Sequence, residues 1–311
     1  MTTAARPVLV VGEINVDLVL KGLHAEPAPG QEVLADDFLM TPGSSSMICA
    51  MGLARLGETV AFHGKLGDDA WGHYCLDALR NAGIGVASLR PDAALRTGVT
   101  VSLSTPRDRS LVTFPGAIAA LRADEVDDVL LRGARHLHVS SFYLQKALRP
   151  GIRDLFARAR AAGLTTSLDP GFDPDRAWGD DLRGVLAELD LFLPNEEELR
   201  ALTGTHDVRE GLAQLDNGHT RIVVKRGRQG CATLQDGALL EVSAFAVEAV
   251  DSTGAGDSFD AGFLHAWLRR LALRDCMRWG SACGSLSTRG IGGTTRQATI
   301  GEAEALVAQA P

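Results

Sequence analysis

No apolar run in this 311-residue chain approaches the roughly 20 residues needed to cross a bilayer, so spanning helices are not expected. The opening MTTAARPVLVVGEINVD has one arginine and an apolar run too short and too β-branched for a secretory signal. Basic charge is in deficit. A formal net charge of -8 argues against a general nucleic-acid binder and against docking to an anionic membrane, while leaving room for a local basic pocket. Cysteine is scarce: Cys49, Cys75, Cys231, Cys276 and Cys283 are odd in number and show no CxxC spacing. They read as reduced, mostly buried thiols of a soluble cytoplasmic protein, not as a disulfide framework or a metal site. Familiar catalytic signatures are missing too. There is no G-x-x-x-x-G-K-[ST] loop, no H-R-D or D-F-G set and no HExxH. GEINVD follows the first apolar run where a dinucleotide fold would place GxGxxG.

What is present is ordinary globular composition, 45% hydrophobic and 23% charged, at a length ample for a large core. Short apolar runs alternate with helical patterns. PVLVVG (7–12), TVAFHGKLG (59–67), HLHVSS (136–141), LTTSLDP (164–170), LDLFLPN (189–195) and RIVVKRG (221–227) read as strands. Helical patterns cover 46–57, closed by Gly57, and 70–83, 151–162, 180–188, 196–203 and 208–216. This alternation implies a mainly parallel sheet covered on both faces. Residues 16–40 and 95–114 break the rhythm as two hairpin-like stretches, read together as a small β-sheet lid on a single domain spanning 1–311. His136 and His138 alternate along one strand and suit core or surface positions better than metal ligation.

Parallel sheets bind ligands outside the carboxyl ends of their strands. The segments that follow the strands here are GEINVD, SSFYLQ, DPGFDP, PNEEE and RGRQG, a polar, acidic and glycine-rich set. Near the end stands DSTGAGDSFDAGF (251–263). The small residues Gly254, Ala255 and Gly256 let backbone approach an anion at a helix start, where N–H donors and the helix dipole favour phosphate. Asp257 has two readings. It caps the helix, or it accepts a proton from a hydroxyl attacking the phosphate held beside it.

DSTGAGDSFDAGF closely resembles the C-terminal signature of the PfkB-type carbohydrate kinases, the ribokinase-like sugar kinases. The likeness covers nearly the whole chain: VVGEINVDLVL, PGSSSMICAMGLARLG, GKLGDDAWGHYCLDALRNAGI, LPNEEEL and VVKRGRQG are similar to successive family motifs in order and spacing. The resemblance implies a ribokinase-like three-layer α/β/α sandwich with a β-sheet lid, and ATP-dependent phosphorylation of a sugar or polyol hydroxyl. By position it implies Asp257 as the base and Gly254, Ala255 and Gly256 as the anion hole. Asn195 and Glu198 would organise magnesium through water, and Lys225, Gly227 and Gly230 would lie at the nucleotide. Asn15, Asp17, Gly43 and Ser44 fall on the sugar side, and an acid at 17 can accept two hydroxyl hydrogen bonds. Asp251 falls where related kinases hold potassium, which admits a monovalent cation here. A homodimer through the lid is also implied.

Departures bear on the substrate. Where ribokinases usually read GGKGAN, this chain has Gly43-Ser44-Ser45-Ser46-Met47-Ile48, so Ser45 and Ile48 replace two ribose-type polar contacts. Where sugar-acid kinases tend to show DPNxR, Gly171 and Asp173 stand at the Asn and Arg positions. Gly280 replaces a frequent Asn or His on the adenine side. A nucleoside kinase, with Met47 and Ile48 packing a base, and a catalytically silent sugar-binding member are the alternatives to a sugar or polyol kinase. A carboxylate-bearing acceptor would lack its arginine and meet the acids Asp17 and Asp173. A neutral hexose or pentose is therefore expected to give a higher kcat/KM than its onic acid, and the reverse ranking in steady-state assays would refute a neutral acceptor.

Overall fold

A strand buried on both faces of a parallel sheet reads as an unbroken apolar run, and VLVV (Val8–Val11) is such a strand, buried throughout. The computed structural model describes residues 6–104, 109–179 and 181–309. Positions 105–108 of the second hairpin and the first residue of the 180–188 helical pattern lie outside the described residues. In chain order the strands are β1 (Val8–Val11), β2 (Asn15–Lys21), β3 (Asp37–Pro42), β4 (Val60–His63), β5 (Leu66–Gly67), β6 (Pro91–Asp92), β7 (Gly98–Ser104), β8 (Arg109–Phe114), β9 (His136–Val139), β10 (Thr165–Leu168), β11 (Leu191–Phe192), β12 (Arg221–Ile222), β13 (Val224–Lys225), β14 (Cys231–Gln235) and β15 (Ala238–Val242). The helices are α1 (Ser45–Arg55), α2 (Ala70–Asn81), α3 (Asp128–Gly133), α4 (Ile152–Ala161), α5 (Asp181–Leu186), α6 (Glu196–Thr203), α7 (Val208–Leu215), α8 (Ala255–Leu268), α9 (Leu273–Ser287) and α10 (Ile300–Val307).

The main sheet has six parallel strands in the order β12-β11-β10-β9-β1-β4. Alternation along β1 sorts its side chains. Val8 and Val10 join Met47, Leu53, Leu79 and Phe263 in one apolar layer, while Leu9 and Val11 join Phe156, Leu182 and Leu212 in the other. Helices α1, α2, α8, α9 and α10 thus cover one face and α3, α4, α5, α6 and α7 the other, the three-layer α/β/α arrangement expected. All five cysteines are buried and unpaired. Among the described residues no helix is long and apolar enough to cross a membrane.

The two hairpin-like stretches do form one small sheet, in the order β3-β2-β7-β8. Its halves are joined by a parallel pairing of β2 with β7, in register Asn15↔Gly98. Cross-strand partners share a face. One face carries Asp17, Thr41, Thr100 and Thr113, and the other carries Leu18, Met40, Val101 and Val112.

RIVVKRG runs through β12 and β13 alongside β11: Val223 N–H bonds Phe192 O and Lys225 N–H bonds Pro194 O. Lys225 keeps a parallel bridge to Asn195 while Val224 and Lys225 also pair antiparallel with β14, so β13 links the main sheet to the β13-β14-β15 sheet.

His136 and His138 are core residues on the α8 side of the sheet, linked by hydroxyls. Thr165 Oγ1 meets His136 Nδ1 at 2.8 Å, and Ser167 Oγ bridges His136 Nε2 at 2.8 Å and His138 Nδ1 at 2.7 Å. His138 Nε2 meets Ser140 Oγ at 2.9 Å. Burial pushes His138 down to about 4, and holds His136 well below its usual range, with the neighbouring His138 adding to the effect. The unfolded chain binds these protons near pH 6.5 and the folded chain does not, so this stabilisation is present above about pH 6.5 and lost as pH falls toward 4. Wild type is expected to lose about 2–3 kcal/mol more than His138→Gln between pH 7 and pH 4.5 in urea unfolding, at about 1.4 kcal/mol per unit. Parallel stability curves for the two proteins would contradict the assignment.

Candidate active site

Every parallel strand ends at the same edge, and the polar residues that follow converge there. After β1 comes Glu13, 3% exposed, whose Oε2 accepts Ser46 Oγ at 2.5 Å and whose Oε1 accepts Ser46 N–H at 3.3 Å. Burial raises its pKa, against the Ser46 and Ser141 hydroxyls. Ser44 N-caps α1: its Oγ accepts Met47 N–H at 3.0 Å and donates to Glu13 O at 2.8 Å. Its φ of 65° is the left-handed region that a non-glycine residue adopts only where its surroundings hold it there.

Asn15 and Asp17 sit together on β2. Asn15 Nδ2 donates to Asp17 Oδ1 at 2.8 Å and to Thr100 Oγ1 at 3.2 Å. Gly43 abuts the pair, and a Cβ there would overlap the Asp17 carboxylate and press on Asn15. The sugar-side residues implied by resemblance are thus gathered beneath the small sheet, on its hydroxyl-bearing face.

Gly254 begins α8 with φ 71° and no side-chain cap. A Cβ on it would lie 2.6 Å from Gly293 Cα, so only glycine lets these two backbones meet. Asp257 is the third residue of the helix, not its cap, which excludes the capping reading of this acid. It is half-buried, whereas Asp169 and Asp260, 5% and 0% exposed, are sealed behind it. Oxygens of the three carboxyls lie within 4.8 Å of one another. Loss of water pushes Asp257 up to about 7, with Asp169 adding to the rise; Lys225 and the Ser45 hydroxyl pull it back.

Lys225 is implied by the resemblance at the nucleotide turn. It is 8% exposed, and its Nζ lies 2.8 Å from Asp169 Oδ2 and 3.2 and 3.1 Å from the Asp260 oxygens. It lies beneath the 254–256 turn, since a Cβ on Gly256 would lie 3.5 Å from Nζ. Burial disfavours its charge, but Asp169, Asp260 and Glu198 outweigh that and raise its pKa. The same ammonium holds Asp169 below the usual carboxylate range despite its burial, while desolvation drives Asp260 well above it.

Asn195 and Glu198 form a capping box on α6. Asn195 Oδ1 accepts Glu198 N–H at 2.9 Å, while Glu198 Oε2 accepts Asn195 N–H and Oε1 accepts its side-chain amide, both at 2.8 Å. Burial, with Asp169 second, pushes Glu198 up to about 8. A buried acid set this short of positive charge fits a divalent cation. Gly227 and Gly230 bound a tight turn, with φ 53° and 88°, and a Cβ on Gly230 would overlap Val242 O. Asp251 braces two loops. Its Oδ1 accepts Thr253 N–H at 2.9 Å and Thr253 Oγ1 at 2.8 Å, and its Oδ2 accepts Gly292 N–H at 2.8 Å. Those bonds occupy both oxygens, so a monovalent cation gains no support from this geometry.

Asp173 does not face an acceptor. Its oxygens accept the N–H groups of Asp175, Ala177 and Trp178, which folds the 169–179 loop on itself. Asp169, Asp260, Glu13 and Ser45 went unassigned in the sequence. The available signal was Asp260 itself, an acid one turn past Asp257 on the same face of an otherwise buried helix.

With this geometry in view, comparison with known proteins is specific. The family model for pfkB family carbohydrate kinases matches residues 5–299. Probable fructokinase-4 of Arabidopsis thaliana is 30% identical over 95% of this chain and 95% of its own. The fructokinase of Klebsiella pneumoniae is 33% identical over 83% of this chain and 89% of its own. The solved structure of Arabidopsis thaliana ribokinase complexed with ribose and ATP superimposes with a TM-score of 0.84 at 24% identity, covering 98% of this chain and all of that one (100%). The convergence of these motifs at one sheet edge, on a ribokinase-like fold matched from end to end, places the chain in the pfkB family of carbohydrate kinases, enzymes that phosphorylate an alcohol group.

Proposed function

We propose that this protein transfers the γ-phosphoryl group of ATP directly to a hydroxyl of a neutral sugar or polyol, with the chain acting as one catalytic domain in a reducing, cytoplasmic setting. The observation that carries this reading is Asp257: an acid open to the cleft, held one residue past small positions 254–256 that expose a helix N-terminus. A free acceptor hydroxyl is a poor nucleophile. Asp257 takes its proton as the oxygen bonds to the γ-phosphorus, and the bond from that phosphorus to the bridging oxygen breaks to release ADP. A base whose proton affinity is centred near neutrality suits that exchange. The N–H groups at the start of α8 meet charge developing on the transferred group. Asn195 and Glu198, through water, would hold the magnesium ion, which neutralises charge on the phosphates. Gly227 and Gly230 shape the turn against which the nucleotide packs.

Asn15 and Asp17 orient the acceptor, and their amide and carboxylate match hydroxyls better than an anionic group. Segments 16–40 and 95–114 act as a lid whose closure keeps water from competing with the acceptor. The outer face of that lid supports a homodimer. Phe38, Val112 and Phe114 are 58%, 60% and 46% exposed on the same side as Leu18, Met40 and Val101. An apolar sheet face of this kind is a natural contact for a second copy. Sedimentation is expected to give a dimer mass for wild type at micromolar concentration and a monomer for Val112→Glu; a monomeric wild type would dismiss the dimer.

Asp257→Asn tests the base. General-base assistance is worth about 10²- to 10⁴-fold, so kcat should fall by that factor. The melting temperature should hold or rise slightly, because the change removes a crowded negative charge without touching a cap. Near-normal turnover in the variant would remove Asp257 from the mechanism.

A further inference from the structure

Behind the proposed base lies a cluster that the transfer chemistry does not itself use. Lys225 Nζ is shared between Asp169, at 2.8 Å, and Asp260, at 3.1 Å, and all three groups are buried. They come from separate elements: Asp169 follows β10, Lys225 ends β13 and Asp260 lies one turn into α8. None reaches the cleft as Asp257 does. An ammonium buried there has a cost that a purely apolar floor would avoid. It also lies under the turn meant for phosphate, where its charge acts on whatever stands above.

We propose that Lys225 is a positioning residue for phosphoryl transfer, its ammonium fixed by Asp169 and Asp260 beneath the first turn of α8 so that Asp257 stands ionised when the acceptor binds. The statement rests on Asp257 being the base. Counting protons gives the mechanism. Three carboxyls lie within mutual reach, and three ionised carboxylates with one ammonium would leave two net negative charges in a largely dry site. Asp260, the most buried, keeps a proton and Asp169 is the counter-ion of Lys225, so that ionising Asp257 adds only a single net charge. Without the ammonium, the same ionisation leaves two, and the cluster holds a second proton to higher pH. The titration belongs to the group as a whole. Other titratable groups that face Asp257 are Glu13 beyond β1, Cys49 of α1 and Glu198 of α6. Cys49 and Glu198 feel Lys225 and Asp169 as well, so their response belongs to the same coupled titration.

The experiment is the acid limb of the kcat/KM profile, measured on the full chain with ATP, magnesium and the best acceptor from a sugar and polyol screen. Lys225→Met is expected to move that limb to higher pH by roughly one unit or more, with turnover recovering on the alkaline side. Asp169→Asn removes a negative charge and keeps a hydrogen-bond acceptor for Gly171 N–H, so its limb is expected to move to lower pH. A merely structural ion cluster lowers the melting temperature in both variants and moves the limb in neither. An unmoved or downward limb in Lys225→Met overturns the proposal. Should that variant not fold, an unmoved or upward limb in Asp169→Asn does so alone. Failure of the base reading is separate: it shows as turnover retained in Asp257→Asn, whatever the limbs do.

Discussion

The arrangement turns on one electrostatic constraint, that three carboxyls can share a site only if a cation and a proton are built in beside them. Lys225 supplies the cation. It can do so because β13 carries the chain beside Asn195 to the edge where α8 begins, and because β10 ends where Asp169 can meet it. The register of α8 then fixes which acid is sealed in and which remains open, since Asp257 and Asp260 are one turn apart on a single face. On the proposed reading, the acids crowded at this edge give a hydroxyl proton somewhere to go, while the helix start beside them meets the negative charge of the phosphate.

Several residues serve local structure and chemistry together. Asn195 and Glu198 close the start of α6 reciprocally while standing at the positions implied for magnesium. Ser44 caps α1 and ties it to Glu13 on the acceptor side. Asp251 laces the loop before α8 to the one carrying Gly292. For such residues, lost activity on substitution reports a displaced backbone as readily as a lost contact, whereas Asp257, which caps nothing, separates the two.

The parts written in local pattern were legible. Alternating apolar runs and helical periods predicted the parallel sheet, and α6 spans the 196–203 read from the sequence. Small residues before an acid do open helix α8, and both hairpin-like segments pair as one sheet. What escaped depends on partners distant in sequence. Lys225 finds its counter-ions 56 and 35 residues away, so a lysine beside a glycine turn gives no local sign of the buried ion pairs it makes. Asp173 occupies a position that in sugar-acid kinases faces the substrate, yet three backbone N–H groups of its own loop claim it.

The parallel pairing of β2 with β7 has a consequence for how the molecule is made. A hairpin such as β2–β3 zips from its turn, but β2 and β7 meet only after α1, β4 and α2 have come between them, and long loops of that kind close slowly. Asn15 and Asp17 emerge early from the ribosome and acquire Thr100 late. The phosphate turn at 254–256 follows still later. An unfinished chain therefore has β2 without β7 above it and without α8, and the capacity to move a phosphoryl group arrives only when the last quarter of the polypeptide has folded onto the first.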